Sequence, residues 1–208
     1  MLNLSSDSKF IQFLNRLGEL ILLNLCFLLC CLPVVTVGAA SAALYTVCTR
    51  FGTEREGAVY SLFFRSFLGS LKQGIPLWLL ELLLGVVCAY LTLVFFLQGG
   101  GMHYAFIPFL VLLGLVSVVS GYVYPLLGQF ENTLHGTLRN AVILSLGYLP
   151  RSVAVAAINA APLVLLAVNP ELFMRIGILW AFLFFSGAAY LNSRILRPVF
   201  EPFYSQNP

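Results

Sequence analysis

Few side chains in this sequence are equipped for chemistry, and their spacing does not assemble a catalytic set. The two histidines, His103 and His135, stand far apart, one in a turn-forming stretch and one on a semi-polar segment. The five cysteines, Cys26, Cys30, Cys31, Cys48 and Cys88, all sit in apolar runs. None forms a Cys-x-x-Cys pair and no histidine lies close in sequence, a pattern of inert thiols rather than of metal ligands. His-Glu-x-x-His, Gly-x-Ser-x-Gly and Gly-x-x-x-x-Gly-Lys-Ser/Thr do not occur, so zinc protease, hydrolase-elbow and P-loop readings lack their motif. The expectation is a chain that is not an enzyme, with no catalytic residues, no cofactor and no metal.

Three polar side chains interrupt the apolar runs. Glu81 follows Pro76 by five residues, which places it ~7–8 Å along a helix. A charge at the centre of a bilayer costs ~2.5–3.5 kcal/mol or more, so intramembrane ionisable residues are often functional. Glu81 is therefore the ionisable candidate, although at this shallow depth its carboxyl can also reach the headgroups. Asn24 and Asn159 lie deeper and read as partners in helix-to-helix hydrogen bonds.

The elements that must position these groups follow from composition. Hydrophobic residues make up 60% of the 208 and charged residues 9%, against roughly 25% charged in a soluble domain. Such a chain cannot make a solvated skin, so its solvent is lipid. The net charge of +3 is too small and too spread for a nucleic-acid partner. The expected class is all-α: a single polytopic transmembrane domain over 1–208. It divides into an N-terminal hairpin (1–50) and two units (51–128 and 129–208), each an amphipathic helix plus a hairpin.

The first helix starts near Ser8 and becomes fully apolar from Leu20. It stops before Pro33, whose ring disfavours helix in the preceding residue. The run to Leu32 has no small-residue cleavage pattern and reads as a retained anchor. Thr36 is placed to cap a second helix that opens Gly38-Ala39-Ala40-Ser41-Ala42-Ala43. Small residues let helix backbones touch in lipid, so Gly38, Ala39, Ala42 and Ala43 are expected at a tight contact with the first helix. This second helix is short, ~21 Å for 14 residues, against a hydrocarbon core of ~30 Å.

Tyr60, Phe63, Phe64, Phe67, Leu68 and Leu71 then line one helical face, with Ser61, Arg65, Ser66, Ser70 and Lys72 off it, as in an interfacial amphipathic helix. Pro76 suits the first turn of a span running to about Leu97. Gln98 to His103 is a turn, and Tyr104 to about Leu127 returns. Gly128 to Leu149 is a second semi-polar stretch. A span over 153–168, a turn at Asn169-Pro170-Glu171 and a last span, Leu172 to Asn192, follow.

Phe63-x-x-Ser66-Phe67-x-Gly69-Ser70-Leu71-Lys72-Gln73-Gly74 aligns with Phe130-x-x-Thr133-Leu134-x-Gly136-Thr137-Leu138-Arg139-Asn140-Ala141. The pattern suggests a parallel repeat. Six crossings put ten of the eleven Lys and Arg residues on one side, leaving only Arg175 opposite. Five crossings would move Lys9 and Arg16 across as well. The positive-inside rule favours six, with both termini cytoplasmic.

The outward groups of the first amphipathic segment, Phe63, Phe64, Arg65, Phe67 and Lys72, are the candidate partner-binding residues. Such a helix either floats at the lipid interface or docks on a protein. Leu32-Pro33-Val34-Val35-Thr36-Val37-Gly38-Ala39-Ala40-Ser41-Ala42-Ala43-Leu44-Tyr45, with Asn24, Glu56-Gly57, Phe63-Phe64-Arg65-Ser66-Phe67 and Ala189-Tyr190, resembles the YesL-like family. Its members are small integral membrane proteins of bacteria, a catalogued domain of unknown function, often encoded beside carbohydrate ABC importers. The resemblance implies a bacterial plasma-membrane protein linked to oligosaccharide uptake. Its expected role is a non-catalytic accessory or additional transmembrane subunit that contacts the permease or ATPase subunits. The alternative is an autonomous small-solute transporter or channel working through the repeat interface, with Glu81 and the deep asparagines as its support.

Overall fold

The computed structural model describes residues 9–51, 59–98, 104–130 and 132–204. The described residues are almost entirely helical and contain no strand, so the chain is an all-α helical membrane protein. Helix α1 spans Lys9–Cys30. The chain then turns through Pro33 and a short 3-10 segment, Val34–Thr36, into α2, Val37–Arg50. Thr36 does not cap α2 with its side chain. Its hydroxyl lies 2.6 Å from both the Cys30 and the Pro33 carbonyls and serves the end of α1 instead. The carbonyls of a helix C-terminus lack intrahelical partners, which is why the hydroxyl is drawn backwards rather than forwards.

α2 is the centre of the bundle. Ten of its residues between Gly38 and Cys48 are buried. It packs chiefly against α3 (Val59–Gln98), then against α4 (Phe106–Gln129) and α9 (Phe185–Tyr204), and touches α1 least among these. The expectation that its small face meets α1 is corrected: that face meets α3 and α4. A helix apolar all round belongs inside a fold. Enclosure by longer helices also explains why ~21 Å suffices, since α2 has little lipid to match.

The expected boundary at Pro76 does not exist. The first amphipathic segment and the span after it form one continuous helix of 40 residues with Pro76 in its interior. At 1.5 Å per residue that is ~60 Å, twice the hydrocarbon core. Its first half therefore continues the span's axis rather than starting as a separate surface helix. Proline in a helix interior removes the bond to the carbonyl four residues back, here that of Lys72. Dense packing of the adjacent turn, Gly74 to Trp78, against α2 holds the helix together across that gap.

The second unit keeps its break. α4 ends at Gln129, α5 covers Leu134–Gly147 and α6 covers Leu149–Val168. Thr133 caps α5 by accepting the Gly136 N–H at 3.2 Å. Asn169 opens α7, Pro170–Arg175, by accepting from the Leu172 N–H at 2.9 Å, with Pro170 in the first turn. The expected last span is discontinuous: α7, one helical turn α8 (Gly177–Leu179), a π-helical stretch Trp180–Phe184, and then α9. Among the described residues three helices are long and apolar enough to cross a membrane: α3, α4 and α6.

The repeat is partly visible. Ser70 and Thr137, Gly74 and Ala141, and Leu77 and Leu144 are buried at one common offset. The copies differ upstream, because Phe63 lies within a helix whereas Phe130 lies beyond the end of one.

The crossing number gives a direct prediction. In a background without the native cysteines, Asn15→Cys should resist an impermeant thiol reagent in intact cells, whereas Tyr104→Cys should react. Labelling of position 15 from outside would establish five crossings.

Candidate functional site

Several polar groups inside the bundle join helices to one another. Thr46 of α2 donates to the Gly128 carbonyl of α4 at 2.7 Å and accepts from Ser66 of α3 at 2.9 Å. Asn192 of α9 donates to Tyr45 of α2 at 3.0 Å and to Asn159 of α6 at 2.8 Å. Asn24 of α1 accepts the Ser186 N–H at 2.9 Å, just beyond the π-helical stretch. Ser152 of α6 donates to the Ser145 carbonyl at 2.7 Å, which leaves its oxygen to accept from Tyr122, 3.0 Å away on α4. In hydrocarbon such bonds replace the water the groups would otherwise require. Asn24 and Asn159 thus stand in helix-to-helix contacts.

Glu81 belongs to the same class of contact. It is half-buried on α3, and its carboxylate accepts a hydrogen bond from the Tyr124 hydroxyl of the neighbouring α4. Ser120, one helical turn before Tyr124, also faces it. The two hydroxyls tie the carboxyl to the α3–α4 seam. Nothing near Glu81 in sequence signalled Tyr124, which lies 43 residues away.

The small-residue positions form the closest backbone contacts. A methyl group added to Gly38 would stand 2.3 Å from the Gly74 carbonyl oxygen and 2.7 Å from Trp78 Cβ. One added to Gly74 would stand 2.7 Å from Ala39 Cα, and one on Gly128 would stand 2.4 Å from the Ala42 carbonyl oxygen. Ala39, Ala42 and Ala43 are fully buried. Gly74 and Gly128 are the partners that reading α2 alone could not supply; the signal was a small residue at the matching height of a facing helix.

The first amphipathic segment divides into two faces. Phe63 is 0% exposed, packed in the core and stacked on Phe67 at 6.4 Å between ring centroids. Phe67 is half-buried against the same core. Phe63 is therefore removed from the candidate partner-binding set, because its ring is consumed by the contact of α3 with the rest of the bundle. Tyr60, Phe64 and Leu68 remain outside, at 57%, 43% and 65% exposure, one helical turn apart, and Arg65 and Lys72 are exposed on the same half of α3. On α5, Thr137, Ala141, Leu144 and Ser145 face inward, while Val142, Ile143 and Leu146 face out. Glu56-Gly57 and His103 lie outside the described residues. All five cysteines are free thiols, with Cys26, Cys48 and Cys88 buried.

No curated protein and no solved structure matches this chain. One family model does: "Protein of unknown function, DUF624" matches residues 20–92, from the apolar part of α1 through the Gly38–Gly74 contact to the upper part of α3. That segment holds α2, the Leu32-to-Tyr45 run and the Phe63–Phe67 stretch that carried the resemblance. DUF624 is the YesL-like family, so the match over residues 20–92 is consistent with the resemblance that the sequence shows to it.

Proposed function

We propose that this protein is a non-catalytic accessory or additional transmembrane subunit of a carbohydrate ABC importer. The observation that carries this reading is the contrast between the interior and one outer ridge. The deep polar groups described above bond to one another across helices. The ridge of Tyr60, Phe64 and Leu68, flanked by Arg65 and Lys72, instead turns outward from the first half of α3. Since α3 is ~60 Å long, this half extends past the hydrocarbon core. Aromatic side chains beside arginine are the usual anchors of a protein interface. The link to carbohydrate importers comes from the family resemblance. α2 is enclosed by its own neighbours, so the ridge replaces the small-residue helix as the surface offered to the permease or ATPase subunits.

The test is co-purification of the tagged protein with importer subunits from its native membrane. Arg65→Glu combined with Lys72→Glu should reduce recovery of those subunits about tenfold, the effect of ~1.4 kcal/mol. Membrane insertion should survive, because the apolar face is untouched. Glu81→Gln should leave sugar uptake nearly unchanged, since the amide can still accept from Tyr124. Flux of a sugar into vesicles holding this protein alone, abolished by Glu81→Gln, would overturn the reading in favour of an autonomous transporter.

A further inference from the structure

The hairpin of α1 and α2 stops partway along α3. Gly38, at the start of α2, meets Gly74 and Trp78, and Thr46 bonds to Ser66 at 2.9 Å. The two contacts are separated by equal steps forward along α2 and back along α3, so the helices run antiparallel in register. The turn before α2, Val34–Thr36, also touches α3. It lies just beyond Gly38 and therefore level with the turn of α3 around Trp78. From Trp78, α3 runs on to Gln98, another ~30 Å at 1.5 Å per residue. That is the depth of a hydrocarbon core. Leu83, Val86, Leu93 and Leu97 along this stretch are each more than half exposed, which suits lipid and not water. Carrying the α1–α2 hairpin across the core would push these side chains out into water on the far side. With α3 seated in the core, the tip of the hairpin reaches only its near surface.

The tip has the chemistry of that depth. Leu29, Leu32, Val34 and Val35 surround Pro33 at 63%, 77%, 60% and 46% exposure. The backbone there is largely closed on itself. The Cys31, Leu32 and Thr36 N–H groups bond to carbonyls of the turn or of the end of α1, and the Thr36 hydroxyl lies against the Cys30 and Pro33 carbonyls. The N–H groups of Val34 and Val35 open the 3-10 segment and so lack partners within it; headgroup oxygens can receive them. Irregular backbone in contact with lipid does not occur inside the hydrocarbon core, whereas the headgroup boundary accepts both the turn and its apolar side chains. Trp78, at the same level, is a ring of the kind that marks this boundary. Both arms of the hairpin lead away from the tip to cations, Arg16 on α1 and Arg50 at the end of α2.

We propose that α1 and α2 form a re-entrant hairpin whose tip, Leu29 to Val35, inserts into the cytoplasmic leaflet without crossing the bilayer. Its partner is the lipid of that leaflet. The two expected crossings by α1 and α2 are thereby replaced by an anchor. Both ends of the hairpin stay on one side, so the ten-to-one distribution of Lys and Arg is unchanged.

The experiment uses the full chain without its native cysteines, with single substitutions Val34→Cys, Leu32→Cys, Asn15→Cys and Tyr104→Cys carrying a nitrobenzoxadiazole dye. Vesicles are captured through a tag on the C-terminus, which selects those with the cytoplasmic face outward, and dithionite, which does not cross the bilayer, is added. The dye at positions 34 and 32 should be bleached, as at position 15, while the dye at position 104 persists. Before bleaching, emission from positions 34 and 32 should be blue-shifted relative to position 15, because the dye there lies in lipid. Persistence at position 34 to the same extent as at position 104 would overturn the proposal, since the tip would then lie beyond the core or under protein. Bleaching with an emission as water-like as that of position 15 would overturn it too, by leaving the tip outside the leaflet. Should the dye at position 34 prevent folding, the more exposed position 32 decides by the same two readings.

Discussion

Gly38→Ala should lower the unfolding midpoint of this protein by roughly 5 °C, although alanine is the better helix former. The new methyl carbon would lie 2.3 Å from the Gly74 carbonyl oxygen and 2.7 Å from Trp78 Cβ. Neither is the end of a flexible side chain, so relief requires α2 and α3 to move apart. Overpacking of this kind costs about 1–3 kcal/mol, which exceeds the ~1 kcal/mol that alanine gains in helix propensity. For a chain of this size each kcal/mol is worth about 2–4 °C. Gly85→Ala is the control: nothing lies within 4 Å of its Cβ, so the same substitution on the same helix pair should be neutral or mildly stabilising. Ala42→Leu, at a fully buried site whose carbonyl lies against Gly128, should be worse than Gly38→Ala. Val94→Leu, only half-buried on α3, should behave as wild type. A thermal scan that ranks Gly38→Ala with Gly85→Ala would show that the α2–α3 seam is not close-packed.

Phe63→Ala and Phe64→Ala should separate folding from docking, though the residues are adjacent. Phe63 is 0% exposed, stacks on Phe67 and meets Phe64 edge-on at 5.6 Å between centroids. Emptying its site removes a phenyl group from a packed core, a change that costs about 3–5 kcal/mol. Phe64 is 43% exposed on the outer ridge, so its truncation should cost well under half as much. The functional consequence should be inverted. Phe64→Ala should lose much less of the midpoint than Phe63→Ala yet recover less of the importer subunits, while any binding lost by Phe63→Ala should track its lost stability. Measuring midpoint and co-purification on both variants decides the matter. A Phe64→Ala protein that is both stable and fully competent in association would remove the ridge from the proposed interface.

The all-α, lipid-facing character of the chain and the small residues at the start of its second helix were legible because lipid imposes a simple rule. Every backbone group must be satisfied within its own helix, and only small side chains allow helices to touch. The family resemblance was legible for the same reason: the Leu32-to-Tyr45 run is the turn and crossing face that this geometry requires. Asn24 and Asn159 could be read as helix-bridging residues because an unpaired amide in hydrocarbon is expensive. Which helices they bridge could not be read.

What only the tertiary structure decided concerns partners and continuity. The small face of α2 meets Gly74 and Gly128 rather than α1, because contact in a bundle depends on which helices lie side by side, not on which are consecutive. Pro76 reads locally as a helix start, but the contact of its neighbouring turn with α2 carries α3 straight through it. Phe63 and Phe64 are indistinguishable in an amphipathic pattern, since a face of about 100° includes both. One sits against the core and the other outside it, because burial is set by the angle at which the whole helix docks. Glu81 likewise drew attention by its charge, while the Tyr124 hydroxyl that donates to it came from a different helix 43 residues on. Periodicity reports what each helix can bury; only the packing of all of them determines against what.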